Sequence, residues 1–200
     1  MSHQTTPYRG RFAPSPTGPL HLGSLIAALA SYLDARHRGG TWLVRMEDLD
    51  PPREEPGAAQ RILQSLELHG LNWDEDLLWQ GQRGDAYREA VAKLATTGRL
   101  FRCDCTRAML GPDGACRGRC HPRQKQITPP CSLRVSVPGE HNIVFCDAAQ
   151  GEQRSALGEA LPDFVVKRKD GLDAYQLAVV VDDAYQGCLL YTSDAADDLA

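Results

Sequence analysis

The sequence has no apolar run long enough to cross a bilayer, and its first residues lack the apolar core of a secretory signal. It also lacks an excess of positive charge. The formal net charge is −4 over 200 residues, so nucleic acid would have to be met by a local basic patch. These absences argue against a membrane-spanning protein and a uniformly basic binding protein. We expect a cytoplasmic protein without a membrane partner.

Cysteine, in contrast, is not scarce. Seven cysteines in a reducing compartment favour metal ligands or free thiols over a disulfide framework. Four of them lie close together in the chain, as the pairs Cys103 and Cys105, then Cys116 and Cys120. Thiolate pairs on two short turns are typical of tetrahedral zinc, and four thiolates leave no open coordination position. We therefore predict a structural zinc site, with four unrelated buried thiols as the alternative.

Basic residues cluster around these cysteines, with only Asp104 and Asp113 as counter-charges. They are Arg99, Arg102, Arg107, Arg117, Arg119, Arg123 and Lys125. This cluster could contact a phosphate backbone, although an ordinary solvated loop explains it equally well. The separate Cys131 and Cys146 are predicted to be buried thiols.

The segment 14–24, which reads PSPTGPLHLGS, organises the rest of the chain. It follows a short predicted strand at 8–13 and enters a helical pattern with Leu22, Ile26, Leu29 and Leu33 on one face. A Pro/Gly loop between a strand and a helix start can present backbone N–H groups and the positive end of a helix to a phosphate. The alternative is a plain loop whose histidine caps the helix.

A second predicted strand at 41–46 ends in Glu47. The order strand, helix, strand predicts a parallel sheet, in which ligands bind beyond the carboxyl ends of the strands. The His21 loop and Glu47 both fall at that end, so we expect them to be neighbours. Further predicted elements are a helix from Gly57 to Gly70, a helix from an Asp85 N-cap to Gly98, short strands within 131–160, a strand at 163–168, and an apolar stretch at 175–183 that is either strand or helix.

Taken together, these stretches resemble a class I aminoacyl-tRNA synthetase of the glutamyl type. The sequence HLGS at 21–24 stands where that class has its His-x-Gly-x motif. RFAPS at 11–15, RMEDLD at 45–50 and YQLAVVVDD at 175–183 also match. DPPRE at 50–54 and the compact cysteine pattern resemble the glutamyl-queuosine tRNA(Asp) synthetases, short paralogues without an anticodon-binding domain. The resemblance covers residues 8 to 187.

The resemblance implies an α/β fold: a Rossmann-type nucleotide-binding domain, incomplete in this chain, with an inserted zinc-containing α+β subdomain. Residues 1–100 would be the first half of the catalytic domain and 101–162 the insertion. Residues 163–187 would start the second half, and 188–200 would be a tail foreign to the family.

The resemblance also implies a reaction. Glutamate attacks the α-phosphorus of ATP, which is accompanied by Mg²⁺, and gives glutamyl-adenylate and pyrophosphate. The glutamyl group then moves to the cyclopentene-diol of queuosine at the wobble position in the anticodon of tRNA(Asp). No covalent enzyme intermediate is expected, because the work is positioning and electrostatic stabilisation. A monomer is expected.

Site residues follow from the resemblance, position by position. The glutamate pocket would be lined by Arg11, Phe12, Ala13, Pro14, Ser15, Glu47 and Tyr175. ATP would be held by Pro14, Thr17, Gly18, His21, Gly23 and Ser24. His21 and Gly23 would be catalytic, with His21 stabilising charge on the phosphate. The fork of the Arg11 guanidinium suits a carboxylate, and Glu47 suits the substrate ammonium. One zinc ion would be held by Cys103, Cys105, Cys116 and Cys120.

From Cys188 the chain departs from the family. Residues 188–197 read back into codons that resemble a transposon adapter of sequencing libraries, so we expect a translated adapter on a truncated gene. A chain ending there would lack an arginine-bearing strand and a lysine loop, and is expected to be inactive and prone to aggregate. Two other functions stay open: an amino-terminal piece of a glutamyl-tRNA synthetase that charges tRNA(Glu), and a non-catalytic, zinc-stabilised RNA-binding module.

Overall fold

The structure, a computed structural model, describes residues 8–139, 141–147, 150–159 and 161–188. The chain divides into two compact units. The first combines the described residues up to Arg83 with those from Asp182 onward, and the second is Gly84–Val181. The domain boundaries expected at residues 100, 162 and 187 stay predictions. Apart from Cys188, the expected foreign tail lies outside the described residues.

The first unit contains the predicted parallel sheet. Its elements are β1 (Arg9–Phe12), α1 (Leu22–His37), β2 (Thr41–Met46), α2 (Ala58–Leu68) and β3 (Leu78–Trp79). The strands run parallel in the order β1-β2-β3, with Arg9 opposite Thr41 and Arg45 opposite Leu78. The βαβ prediction is therefore confirmed, and the carboxyl ends of β1 and β2 lie side by side.

The core of this unit forms around β2, in which every residue from Trp42 to Met46 is buried. A strand buried on both faces requires such a nearly continuous apolar run. Trp42 is fully buried, and its indole N–H donates to Ser31 Oγ at 2.9 Å, so its one polar atom is satisfied. The ring of Tyr32 meets the Trp42 ring edge-on, with centroids 5.2 Å apart.

Helix α1 packs with a different face from the one that its apolar periodicity indicates. Leu22, Ile26, Leu29 and Leu33 are 44–73% exposed. The side chains that α1 buries completely are small alanines, with Ala28 and Ala35 in the core cluster of β1 and β2. Small side chains allow a helix to approach a sheet closely, and hydrophobic periodicity reports the largest side chains rather than the closest contacts.

Glycines bound helix α2 as the sequence predicts. Gly57 at its N-cap and Gly70 beyond its end have φ angles of +76° and +72°, in the left-handed region that glycine tolerates best. Ile62 and Leu66 on its buried face are 1% and 0% exposed.

The second unit combines helices with antiparallel strands. Its elements are α3 (Gly84–Thr96), β4 (Leu100–Cys103), β5 (Ser132–Ser136), β6 (His141–Asp147), β7 (Gly151–Leu157), β8 (Asp163–Lys167) and α4 (Tyr175–Gln186), whose last turn belongs to the first unit. Strands β4, β5 and β8 form one antiparallel sheet, and β6 pairs with β7 as a hairpin.

Three details of this unit settle or correct expectations. The ambiguous stretch at 175–183 is helical. Asp85 is not the N-cap of α3, because the helix begins at Gly84 and Asp85 lies in its first turn. Cys146 is exposed rather than buried, because the paired strands β6 and β7 leave it at the surface, and Cys131 is only half-buried.

Among the described residues, no helix is long and apolar enough to cross a membrane.

Candidate active site and metal centre

The loop after β1 meets the end of β2 through the backbone. The N–H of Glu47 donates to the carbonyl of Pro14 at 2.9 Å, and the N–H of Glu55 donates to the carbonyl of Pro16 at 2.9 Å. Glu47 therefore lies beside the loop, as the parallel sheet predicts. Two hydrogen bonds to residues far along the chain hold the loop in place.

The predicted site residues at the end of β1, in the loop and at the start of α1 differ in burial. Those that are buried are Arg11, Phe12, Ala13 and Pro14, and those that are exposed are Ser15, Thr17 and His21. Gly18, Gly23 and Ser24 are half-buried. The buried group is fixed by packing, whereas the exposed group is accessible to a ligand from solvent.

His21 is the N-cap of α1. Its Nδ1 accepts the backbone N–H of Ser24 at 3.1 Å, and its Nε2 lies 3.0 Å from the Ser24 hydroxyl. A Cβ at Gly23 would lie 3.1 Å from the His21 ring, so any other residue there would press on the ring. The first turn carries no acidic side chain, so the positive end of α1 keeps its attraction for an anion. A catalytic role for His21 stays a prediction.

Arg11 makes a fork with Asp183 from the last turn of α4. Its Nε lies 2.7 Å from Asp183 Oδ1 and its Nη2 lies 3.2 Å from Oδ2. The two side chains are only 7% and 8% exposed. Arg11 thus binds a carboxylate, as its guanidinium predicts, but the carboxylate is that of Asp183 within the protein. Its contact with a substrate carboxylate stays a prediction.

Arg45 extends this ion pair beneath the end of β2. Its side chain is 0% exposed, and its Nη1 donates to Asp183 Oδ1 at 2.7 Å and to Gln186 Oε1 at 3.1 Å. Its Nη2 lies 3.4 Å from Glu47 Oε1. The cluster therefore contains two guanidinium groups and two carboxylates, so its charges cancel without a ligand.

The guanidinium groups determine the charge state of Asp183. Burial alone would raise the pKa of this carboxyl, but the hydrogen bonds and charges of Arg11 and Arg45 outweigh burial and lower the pKa. Sequence reasoning assigns no role to Asp183 or Arg45. One available signal is that Asp183 is the second of two aspartates that follow an apolar run, where a buried carboxylate needs a cationic partner.

Tyr175, the remaining predicted contact for glutamate, is the first residue of α4 and belongs to the second unit. Its side chain is 54% exposed. Its predicted role therefore stays a prediction.

The four clustered cysteines meet in the second unit. The Sγ atoms of Cys103, Cys105, Cys116 and Cys120 all lie within 4.8 Å of one another, and all four residues are buried. Tetrahedral zinc with Zn–S bonds of about 2.3 Å places its sulfur ligands roughly 3.8 Å apart. The Sγ of Cys105 lies 3.8 Å from that of Cys116 and 3.5 Å from that of Cys120. The donor set and its spacing therefore fit one zinc ion.

Without a cation, two of these thiols, Cys105 and Cys116, disfavour ionisation. Burial, together with contacts among the sulfurs, raises the pKa of Cys105 above its ordinary value and that of Cys116 to about 11. The pKa of Cys120 is lowered instead, because hydrogen bonds from the Asp104 backbone and from the other thiols outweigh burial. Binding of a metal would therefore release protons from Cys105 and Cys116.

The basic cluster around the cysteines is largely at the surface, but several of its charges are already paired. Arg117 binds Asp113 at 2.6 Å, Arg123 binds Asp104 at 2.8 Å, and Arg119 donates to the carbonyl of Met109. Its remaining members, Arg99, Arg102, Arg107 and Lys125, are exposed. The cluster is compatible with a phosphate backbone and equally with a solvated surface.

Comparison with known proteins shows the family of the chain. The family model of the tRNA synthetases class I (E and Q), catalytic domain, matches residues 8–113. A curated relative from Ectopseudomonas mendocina, named glutamyl-Q tRNA(Asp) synthetase, is 51% identical over 187 residues, which is 91% of this chain and 62% of the relative. A protein of the same name from Escherichia coli strain K12 is 52% identical over 188 residues, which is 91% of this chain and 59% of the relative.

Solved structures show the same fold. A glutamate tRNA ligase from Elizabethkingia meningosepticum, in complex with its amino acid, has a TM-score of 0.76 and 27% identity. The match covers 92% of this chain and 43% of that one. The glutamate-tRNA synthetase of Elizabethkingia anophelis matches with the same TM-score, identity and coverage. These matches confirm the α/β, Rossmann-type class I fold. The chain spans about 60% of the length of its curated relatives. The chain belongs to the family of the class I tRNA synthetases (E and Q) and contains sequence of their catalytic domain.

Proposed function

We propose that the protein activates L-glutamate with ATP and transfers the glutamyl group to queuosine in the anticodon of tRNA(Asp). The observation that carries this proposal is an identity of 51–52% with curated relatives that share the name glutamyl-Q tRNA(Asp) synthetase. The proposal concerns the whole protein, because the chain spans about 60% of those relatives.

The cluster at the end of β2 supports binding of an amino acid. Glu47 is 9% exposed and lies at the strand end beside the loop, where its carboxylate can attract the substrate ammonium. The Nη2 of Arg45 lies 3.4 Å from Glu47 Oε1 and orients the carboxylate. Together with Arg11, Phe12, Ala13, Pro14, Ser15 and Tyr175, Glu47 is assigned to the glutamate pocket.

The start of α1 supports binding of the nucleotide. Pro14, Thr17, Gly18, His21, Gly23 and Ser24 are assigned to ATP, whose phosphates would lie against the positive end of the helix. A substrate carboxylate oxygen forms the new bond to the α-phosphorus, and the bond to the bridging oxygen breaks, so pyrophosphate leaves with its electron pair. His21 and Gly23 are assigned to this step, His21 because it can place a donor on the phosphate oxygens. Mg²⁺ accompanies ATP and offsets the charge of its phosphates.

The cysteine cluster is proposed to bind one zinc ion through Cys103, Cys105, Cys116 and Cys120. Four sulfur ligands leave no open position, so the ion would stabilise the fold and take no part in the reaction. The exposed cations around the cluster are assigned to the tRNA backbone.

Transfer of labelled glutamate tests the proposal. The protein from the complete reading frame, with the 200-residue chain and the Escherichia coli relative alongside, is incubated with ATP, Mg²⁺ and ¹⁴C-glutamate. The acceptors are tRNA(Asp) with queuosine, tRNA(Asp) without it, and tRNA(Glu). We expect label only on the tRNA(Asp) that carries queuosine. Label on tRNA(Glu) would move the assignment to a glutamyl-tRNA synthetase, and an absence of glutamate-dependent ATP–pyrophosphate exchange would favour the RNA-binding alternative.

A variant tests the glutamate pocket within the same assay. Glu47→Gln removes the charge proposed to bind the ammonium, and we expect the KM for glutamate to rise about 10- to 100-fold, since a hydrogen bond to a charged group contributes roughly 1.5–3 kcal/mol. Glu67→Gln, on the exposed side of α2, is the matched control and should leave the KM unchanged.

A further inference from the structure

The two cysteine turns are held by side chains that come much later in the chain. The first turn carries Cys103 and Cys105, and the second carries Cys116 and Cys120. The residues that hold them are Asp163, the first residue of strand β8, and Lys169, two residues beyond its end. These contacts all lie within the second unit.

Asp163, the first residue of β8, binds the backbone of the second turn. The side chain is 3% exposed. Its Oδ1 accepts the N–H of Cys116 at 2.9 Å, and its Oδ2 accepts the N–H of Arg117 at 2.8 Å. Two consecutive backbone donors thus point at one carboxylate, which fixes the direction of the chain at Cys116.

The turn that Asp163 holds has an unfavourable backbone conformation. Arg117 has a φ of +53°, in the left-handed region, and is the one non-glycine residue with a positive φ in the described part of the chain. Such a conformation costs on the order of 1–3 kcal/mol and persists only where the surroundings enforce it. The Asp163 carboxylate is the contact that meets this residue's own N–H, so it stabilises the conformation that turns the chain between Cys116 and Cys120.

Arg134 in β5 holds the Asp163 side chain in place. Its Nε lies 2.5 Å from Asp163 Oδ1, and its Nη2 donates to the carbonyl of Gly114 at 2.6 Å. The ion pair is buried, with both side chains 3% exposed. Asp163 thus has its two oxygens committed to N–H donors, which makes it a support for the cysteine turn rather than a fifth ligand.

Lys169, shortly after the end of β8, binds the backbone of the first turn. Its Nζ donates to the carbonyl of Asp104 at 2.8 Å and to that of Cys105 at 2.8 Å. Two carbonyls that point at one ammonium constrain the peptide between Cys103 and Cys105. The start of β8 and the segment just beyond its end therefore support one turn each, the first with a carboxylate for N–H groups and the second with an ammonium for carbonyls.

We propose that Asp163 and Lys169 are positioning residues that hold the two cysteine pairs at the spacing that a metal ion requires. This inference rests on the proposed zinc site and extends it to the residues that set its affinity. Hydrogen-bonded partners outside the ligand set typically change metal affinity by about 10- to 100-fold, because they orient the ligands before the metal arrives.

The test is a Zn²⁺ competition titration of the whole chain against a chromophoric chelator, repeated with Co²⁺, whose visible absorption reports the geometry of its ligands. Asp163→Asn should weaken Zn²⁺ binding about 10- to 100-fold and alter the Co²⁺ spectrum. Lys169→Met is a second variant with an exposed side chain and the Asp163–Arg134 pair intact, and it should weaken binding in the same direction. Glu152→Gln, in an exposed pair with Arg154, is the matched control and should bind like the unsubstituted chain.

The outcomes separate two failures. If the unsubstituted chain binds no Zn²⁺, the zinc site itself is wrong and the positioning role falls with it. If that chain binds Zn²⁺ and both variants bind it equally tightly, the positioning role alone is wrong. If Asp163 and Lys169 only stabilise the fold, the variants should bind Zn²⁺ as tightly as the unsubstituted chain, but their metal-free forms should be less stable. Thermal unfolding of each metal-free variant is therefore measured in parallel.

Discussion

The buried cluster of the first unit and the cysteine centre of the second both place ionisable groups in the interior, but they reach neutrality differently. Arg11 and Arg45 are balanced by Asp183 and Glu47, so the fold supplies every charge of the first cluster. The second cluster offers four thiols within 4.8 Å of one another and brings no cation among its ligands. The first is complete once the chain folds, whereas the second, on our proposal, is completed by a metal ion.

This difference follows from the chemistry of the groups. A guanidinium stays charged under all ordinary conditions and can be buried opposite a carboxylate at fixed geometry. Four neighbouring thiolates repel one another, and only a bound cation allows them to ionise together. Removing a metal, removing a carboxylate and adding a proton should therefore affect the two units differently.

Removing the metal should have the largest effect and should be confined to the second unit. Structural Zn²⁺ contributes on the order of 10 kcal/mol to small zinc domains, because its binding free energy is folding free energy. A strong chelator should make the four site thiols reactive to a thiol reagent. The emission of Trp42, Trp73 and Trp79, all in the first unit, should stay constant. A parallel change in tryptophan emission would show that the units do not respond separately.

Removing one carboxylate should have the next largest effect, in the first unit. Asp183→Asn leaves Arg11 and Arg45 buried without their shared counter-charge, and breaking a buried pair in this way costs roughly 3–5 kcal/mol. Urea unfolding followed by tryptophan emission measures the loss, and Glu67→Gln is the exposed control. An unchanged midpoint for Asp183→Asn would mean that the cluster does not depend on its own carboxylate for neutrality.

Protonating the Asp183 carboxylate should have the smallest effect, because its charge is lost gradually as the pH falls. The folded pKa of Asp183 lies below its ordinary value of 3.8, so its contribution to stability is fully present above that value and is lost as the pH falls through the lowered folded pKa. Acid titration of the first unit should therefore show a decline below a pH of about 3.8 that Asp183→Asn reduces. Identical acid profiles for the two proteins would contradict the role of Asp183.

Much of the fold and of the metal centre could be predicted because the relevant residues are near each other in the chain. The order of strand, helix and strand from β1 to β2 is enough to predict a parallel sheet. The spacing of Cys103, Cys105, Cys116 and Cys120 predicts a four-sulfur site without knowledge of the fold. The placement of Glu47 beside the loop at Pro14 follows from the sheet alone.

Long-range contacts account for what sequence reasoning missed. Asp183 binds Arg11 from 172 positions away, and Asp163 binds Cys116 from 47 positions away. No local pattern links such residues, since the pairing exists only once α4 and β8 have packed. The exposed apolar face of α1 shows the same limit, because periodicity predicts which residues share a face but not which face is covered.

The sequence by itself therefore determined the strand, helix and strand order from β1 to β2, the four cysteines that come together and the motifs shared with the class I synthetases, because each depends on residues within one short segment. Only the tertiary structure decided which carboxylate neutralises Arg11 and Arg45, which side chains support the cysteine turns, and which side of α1 is buried. Those choices depend on distances between segments far apart in sequence, and packing alone sets such distances.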